Sequence, residues 1–130
     1  TLSSRIVYQK NGFVTVLFED IVAKGLNDPS EKLISLCFDL TTGELADLSD
    51  FLGSTDEFAA KYVANLFTQL IEIEPSRFYL DAKSFIHDVI SLSNFYLTDN
   101  GVVIYIEADV ISPSVYGVPS FIIPYSELGL

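Results

Sequence analysis

Residues 94–128 read NFYLTDNGVVIYIEADVISPSVYGVPSFIIPYSEL, and the order of residue types along this stretch decides the fold. Phe95 to Leu97 is aromatic and apolar, Thr98-Asp99-Asn100-Gly101 is a run of turn formers, and Val102 to Ile106 is β-branched and aromatic. The segment therefore reads as a β-hairpin. Gly101 is expected to take the positive φ angle that closes it. Glu107 to Pro113 then leaves the sheet, Tyr116-Gly117-Val118-Pro119 makes a corner, and Ser120 to Ile123 re-enters as a strand. Pro124 cannot donate to a ladder, so that strand ends there or lies at an edge. Ser126-Glu127-Leu128 reads as the start of a helical turn.

The chain upstream supplies what this hairpin packs against. Arg5 to Gln9 and Phe13 to Glu19 flank Lys10-Asn11-Gly12, and Asn-Gly between two apolar runs is a strong hairpin signal. Asp20 to Lys32 loses the alternation and gathers Gly25, Asn27, Asp28 and Pro29, which reads as a surface loop. Leu33 to Leu40 alternates again, with Ile34, Leu36, Phe38 and Leu40 on one side and Ser35, Cys37 and Asp39 on the other, so one face should be buried. Asp39 to Leu45 reads as a strand end, a turn at Thr42-Gly43 and a short return, and Leu48 to Leu52 as one helical turn. Ser54-Thr55-Asp56-Glu57 fits a capping box with Ser54 as the cap. A long helix over Thr55 to Ile73 should follow, burying Phe58, Tyr62, Leu66, Phe67, Leu70 and Ile71, exposing Lys61, Asn65 and Gln69, and ending before Pro75. Asp81 can cap a shorter helix through Ile90 with Phe85, Ile86 and Val89 turned inward. The expected fold class is α+β: one antiparallel sheet, built from strands around Arg5, Val14, Leu36, Phe95, Ile104 and Ile122, covered on one face by the long helix and the shorter second helix.

Composition narrows the function classes. A chain of 130 residues, 49% hydrophobic, is one domain by length and buries roughly two-thirds of its unfolded surface without staples. No apolar run approaches the roughly 20 residues needed to cross a bilayer, and Thr1 to Arg5 has neither the charge nor the apolar block of a signal peptide. The missing initiator Met points to a processed or excised part of a longer protein. Seven Lys and Arg against eighteen Asp and Glu give a net charge of −11, and no Lys or Arg follows Lys83. Nucleic acid and anionic lipid would be repelled, whereas a basic protein or cationic peptide would be steered in.

Few residues carry reactive chemistry. Cys37 is the single cysteine, which excludes an internal disulfide and a cysteine-rich zinc site; its apolar neighbours predict a buried, unreactive thiol. His87 is the single histidine and sits beside Asp88 on a helix, where adjacent residues do not face each other. Asp39 to Glu57 holds six acids and no base, but without the alternating oxygen ligands and fixed glycine of a calcium loop. It reads as a solvated face with helix-starting carboxylates. Neither cofactor nor metal is expected. Glu107 and Asp109 lie two apart and would share a face if the strand continued. They are the candidate pair for a carboxylate-dependent hydrolase. They are also candidates, with Tyr116 on its Gly- and Pro-bounded loop, for a partner-binding surface.

The motifs over Leu33 to Leu128 resemble a known family. Asn94-Phe95-Tyr96-Leu97-Thr98-Asp99-Asn100-Gly101, the aromatic strand at Tyr105, the Pro113 to Gly117 corner and Ile123-Pro124-Tyr125-Ser126-Glu127-Leu128 look like the C-terminal domain of the RsiV-type anti-sigma factor ectodomain. That module also occurs in PdaC-type peptidoglycan deacetylases and bacterial surface lipoproteins. Upstream, Phe38-Asp39-Leu40-Thr41-Thr42-Gly43-Glu44 and Leu48-Ser49-Asp50-Phe51-Leu52 look like the family's strand, Thr-Gly turn and short helix. The resemblance implies a non-catalytic extracytoplasmic binding or sensory module in a membrane-tethered parent, and in the RsiV-type members a receptor for lysozyme whose binding exposes the protein to proteolysis. Ala23-Lys24-Gly25-Leu26-Asn27-Asp28 stands where the family tends to carry a Gly-Gly-Ala-His-Gly-like segment, so the partner of one member does not transfer directly. Two classes stay open: a module binding a basic protein such as lysozyme or cell-wall material, and a carboxylate-dependent cell-wall hydrolase, with Glu107 and Asp109 as its pair, or accessory domain of a peptidoglycan-modifying enzyme.

Overall fold

The computed structural model describes residues 2–23 and 29–128. Strands β1 (Leu2–Lys10) and β2 (Phe13–Ala23) are joined by Asn11-Gly12. Both turn residues have positive φ, 56° and 86°, as a two-residue turn matched to the strand twist requires. Strand β3 (Pro29–Asp39) pairs antiparallel with β2 from Phe13–Asp39 to Ala23–Pro29. The surface loop expected over Asp20 to Lys32 is thus a correction. Asp20 to Ala23 and Pro29 to Lys32 continue the two strands, because backbone ladder bonds there outweigh the loss of side-chain alternation. Residues 24–28, and with them most of the segment that departs from the family, lie outside the described residues.

The register slips between Ile6 and Tyr8, and this bulge decides which way Tyr8 points. Ile6 pairs with Val16 on the outer face, but the extra residue Val7 brings Tyr8 opposite Thr15 on the inner face, where it is buried. The inner face of β3 carries Leu33, Ser35 and Cys37, all buried, while Ile34 is 55% exposed and Leu36 and Phe38 are half-buried. Cys37 is buried as expected, but the strand turns its apolar row outward and its small and polar row inward. The reason is spatial: the second sheet approaches the inner face so closely that small side chains and hydrogen-bonding hydroxyls fit there.

That second sheet is also a correction, since the strands form two three-stranded sheets rather than one. Strands β4 (Phe95–Leu97), β5 (Gly101–Tyr105) and β6 (Ser120–Pro124) are antiparallel in the order β4-β5-β6, with β6 and its Pro124 at an edge. Thr15, wholly buried on β2, accepts from the Leu97 amide at 3.4 Å. Ser35 Oγ donates to the Ser93 carbonyl at 3.2 Å and lies 2.9 Å from the Tyr105 hydroxyl. With its single proton given to Ser93, Ser35 accepts from Tyr105, and these polar links join the sheets.

Gly101 does not have the positive φ expected of it. It begins β5, and a Cβ there would fall on the Ile123 carbonyl and within 3.0 Å of Pro124 Cα. Close approach of β6, not turn geometry, calls for glycine.

Helix α1 (Leu48–Leu52) follows the bridge between Phe38 and Leu45, as the Thr-Gly turn predicted. Helix α2 (Asp56–Ile73) is capped by Thr55, whose hydroxyl accepts from the Phe58 amide at 3.2 Å. The cap therefore falls one residue later than Ser54, whose hydroxyl donates to the Thr55 carbonyl. The buried stripe is Ala59, Val63, Ala64, Phe67 and Ile71, flanked by half-buried Tyr62, Leu66 and Leu70. Phe58 is 57% exposed, so the stripe begins one residue later than predicted. Phe67 packs on Phe121 of β6 with ring centroids 4.5 Å apart, in one core with Phe95, Val102, Ile104 and Ile123. After Pro75–Arg77, helix α3 (Ala82–Val89) adds Ala82 and Ile86 to that core and leaves His87 exposed. Asp81 begins α3 through its backbone carbonyl, to which Ser84 donates, and not through its side chain. The architecture is α+β, and no helix among the described residues is long and apolar enough to cross a membrane.

Candidate functional site

The residues singled out from sequence lie around the C-terminal corner. β5 ends at Tyr105; the Ile106 amide makes one more bond in the same antiparallel register, to the Pro119 carbonyl, and the chain then turns away over residues 108–110. Glu107 and Asp109 therefore do not share a strand face. Asp109 sits in a turn at φ 66°, a conformation that Asp tolerates better than most residues. Its carboxylate accepts from the Tyr79 hydroxyl. Tyr116 ends a 3-10 turn over Ser114–Tyr116, is 48% exposed, and has the Arg77 guanidinium 5.8 Å from its ring centroid. The 74–80 segment thus gathers Asp109 and Tyr116, while Glu107 stands exposed beside them without a hydrogen bond or ion pair among the described residues. Tyr79, Leu80 and Val115 are exposed apolar neighbours.

A second place was not singled out from sequence. A cleft of about 450 Å³ is lined by Tyr8, Asn11, Phe13, Asp50, Phe51, Leu97 and Tyr125. Four local features build it: the bulge that turns Tyr8 inward, the Asn11 turn, the short α1, and the turn over Tyr125–Leu128 after β6. Phe51 stands between Phe13, at 4.9 Å, and Phe95, at 5.6 Å and edge-on. Asn11 Nδ2 donates to the Tyr8 hydroxyl at 3.1 Å, and the Tyr125 hydroxyl donates to the Thr98 carbonyl at 2.6 Å. Burial, and then the neighbouring Tyr8, push the Tyr125 phenol up to about 12, so it stays neutral at physiological pH. Asp50 accepts from the Asp47 amide at 2.9 Å. Lys10, next to Asn11 in the chain, is held by Asp99 at 2.6 Å, and that hydrogen bond with the charge of Asp99 raises its ammonium above the ordinary value.

Phe13 and Asp50 also line an adjoining cavity of about 380 Å³, with Asp39, Thr42, Glu44, Leu45 and Ala46. Although three carboxylates reach this wall, no group of three or more His, Cys, Asp or Glu among the described residues is placed to hold a metal ion. Asp50, Phe51 and Tyr125 each fall inside a stretch that carried the family resemblance; Tyr8 and Asn11 had no signal beyond hairpin chemistry. Neither Glu107 nor Asp109 lines either cavity.

Fold and cleft together define a small α+β module with an aromatic, acid-rimmed hollow between its sheets. The chain belongs to the DUF3298 family, described as proteins of unknown function, whose model matches residues 50–126. No curated protein matches it. A DUF3298 family member from Bacteroides fragilis superposes with a TM-score of 0.72 at 18% identity, covering 98% of this chain and 51% of its own. A DUF3298 family protein from Pseudomonas aeruginosa superposes at 0.66, also at 18% identity, covering 98% of this chain and 59% of its own. The chain thus spans little more than half the length of these solved relatives, and the likeness is one of fold.

Proposed function

We propose that this domain is a non-catalytic, extracytoplasmic binding or sensory module that recognises a cationic protein, of which lysozyme is the model, or basic groups of cell-wall material. The observation that carries this reading is how the charges are distributed. Each of the five cations whose side chains are described, Arg5, Lys10, Lys61, Arg77 and Lys83, is already in an ion pair. The uncompensated charge over these residues is therefore negative. It includes Asp39, Glu44 and Asp50 around the cavities and Glu107 and Asp109 at the corner. Such a surface attracts a basic partner over a screening length of about 8 Å at physiological ionic strength. The resemblance to RsiV-type ectodomains supports both the kind of partner and the extracytoplasmic location. Tyr116 with Glu107 and Asp109 would form the corner contact, an aromatic anchor beside two acids.

The test is a titration of the purified domain with lysozyme and with a neutral protein of similar size at two salt concentrations, repeated with Glu107→Gln and Asp109→Asn together. Binding of lysozyme alone, with an association rate that falls as salt rises and falls again in the double variant, is expected. Absence of lysozyme binding at high micromolar concentration removes the receptor reading. Binding indifferent to salt and to the substitutions removes the electrostatic mechanism.

A further inference from the structure

We propose that the cleft between the sheets seats a lysine or arginine side chain of the polypeptide partner, its aliphatic stem against Phe13, Phe51 and Leu97 and its cationic head at Asp50. This rests on the cationic-partner reading and gives that partner a site away from the corner. Three observations carry it. Among the described residues the lining is mainly aromatic and aliphatic, with Asn11 and one charged group, the Asp50 carboxylate, and the adjoining cavity that shares Asp50 adds only acids to the charged groups. Among the described residues no cation lines either cavity, and Lys10 is already paired with Asp99. A long side chain with an apolar stem and a charged end matches that polarity, because such residues bury their methylenes while keeping the head group at a polar rim.

The hydrogen-bond inventory points the same way. The Tyr125 proton is committed to Thr98 and one Asn11 amide proton to Tyr8, whereas Asp50 has a carboxylate with capacity beyond its one bond to the Asp47 amide. The cleft is thus weighted towards acceptors, which suits a donor-only ammonium or guanidinium. Tyr8 and Tyr125 also line the cleft, and an aromatic ring attracts a cation through its quadrupole. A contact of this kind occurs elsewhere in the molecule, where Arg77 lies over Tyr116 at 5.8 Å. A neutral sugar would need a mixed set of donors and acceptors, and is the competing ligand.

The probes are acetyl-trilysine amide, acetyl-triglutamine amide and the N-acetylglucosamine trisaccharide, followed by NMR on the Asn11 side-chain amide and the Phe51 ring. The chain has no Trp and seven Tyr, so tyrosine emission gives a second readout. Trilysine alone should shift the cleft signals. Its affinity should fall about three- to tenfold in Asp50→Asn, which keeps an acceptor for the Asp47 amide, and much less in the Glu107→Gln, Asp109→Asn double variant. Trilysine shifts that map away from the cleft, or an Asp50→Asn variant equal to wild type, overturn the proposal. So does a cleft that responds to the trisaccharide and not to trilysine. If Asp50→Asn fails to fold, the wild-type shift map decides. Lysozyme binding that survives Asp50→Asn and is lost in the corner variant sinks the cleft while leaving the receptor reading standing; failure of lysozyme and trilysine alike on wild type sinks both.

Discussion

Gly101 shows how a single residue can be read correctly as special and for the wrong reason. The turn-former run ending in Asn100-Gly101 suggests a left-handed glycine, but the structure uses the missing Cβ to bring the Ile123–Pro124 backbone close to β5. Gly101→Ala should force the two strands apart. A loss of about 1–3 kcal/mol or more in denaturant unfolding is expected, as for other overpacked sites, and a wild-type midpoint would contradict this packing. Cys37 is the converse case. Burial was expected and is found, at 3% exposure, and burial pushes the thiol above its ordinary value, which keeps it in the unreactive form.

At the scale of elements, helix α2 separates pattern from position. Helical period, a capping hydroxyl and Pro75 were all readable, and the helix runs over Asp56–Ile73. Its angle on the sheet was not, because large aromatic residues at both edges of an apolar stripe compete for the centre and only the opposing surface selects between them. Phe67 faces Phe121 while Phe58 faces solvent, where it lies 6.5 Å from Tyr62 in a stacked arrangement. Phe67→Ala should cost about 3–5 kcal/mol, and Phe58→Ser within about 0.5 kcal/mol of nothing. Equal losses in thermal or denaturant unfolding would show that the stripe is centred elsewhere.

Across the whole molecule, the joint between the sheets concentrates groups whose ionisation opposes folding. Burial first, then the Tyr8 hydroxyl, hold the Tyr125 proton to about pH 12 instead of 10. Burial also raises Tyr105, whose bond to Ser35 acts in the opposite direction, and Cys37. The unfolded chain releases the tyrosine proton first, so this contribution to stability is complete below about pH 10 and is lost as pH rises towards about 12. Denaturation midpoints measured from pH 8 to 12 should fall along that limb, and Tyr125→Phe should flatten it. An unchanged slope in the variant would place the alkaline loss at other groups.

What the sequence determined by itself was local: the Asn11-Gly12 turn, the Thr-Gly return, the helix over Asp56–Ile73, the edge position of Pro124, and the α+β class that follows from two periodicities in one chain. Each is set by backbone preference or by the spacing of apolar residues within a dozen positions. The splitting of the strands into two sheets, the inward turn of Ser35 and Cys37, and the cleft between Tyr8, Asp50 and Tyr125 were decided only by tertiary structure. The physical reason is that one extra residue at Val7 reverses the side on which Tyr8 emerges. Which face of β3 is buried likewise depends on how near another sheet comes, a distance between parts of the chain some sixty to eighty residues apart that no local pattern encodes.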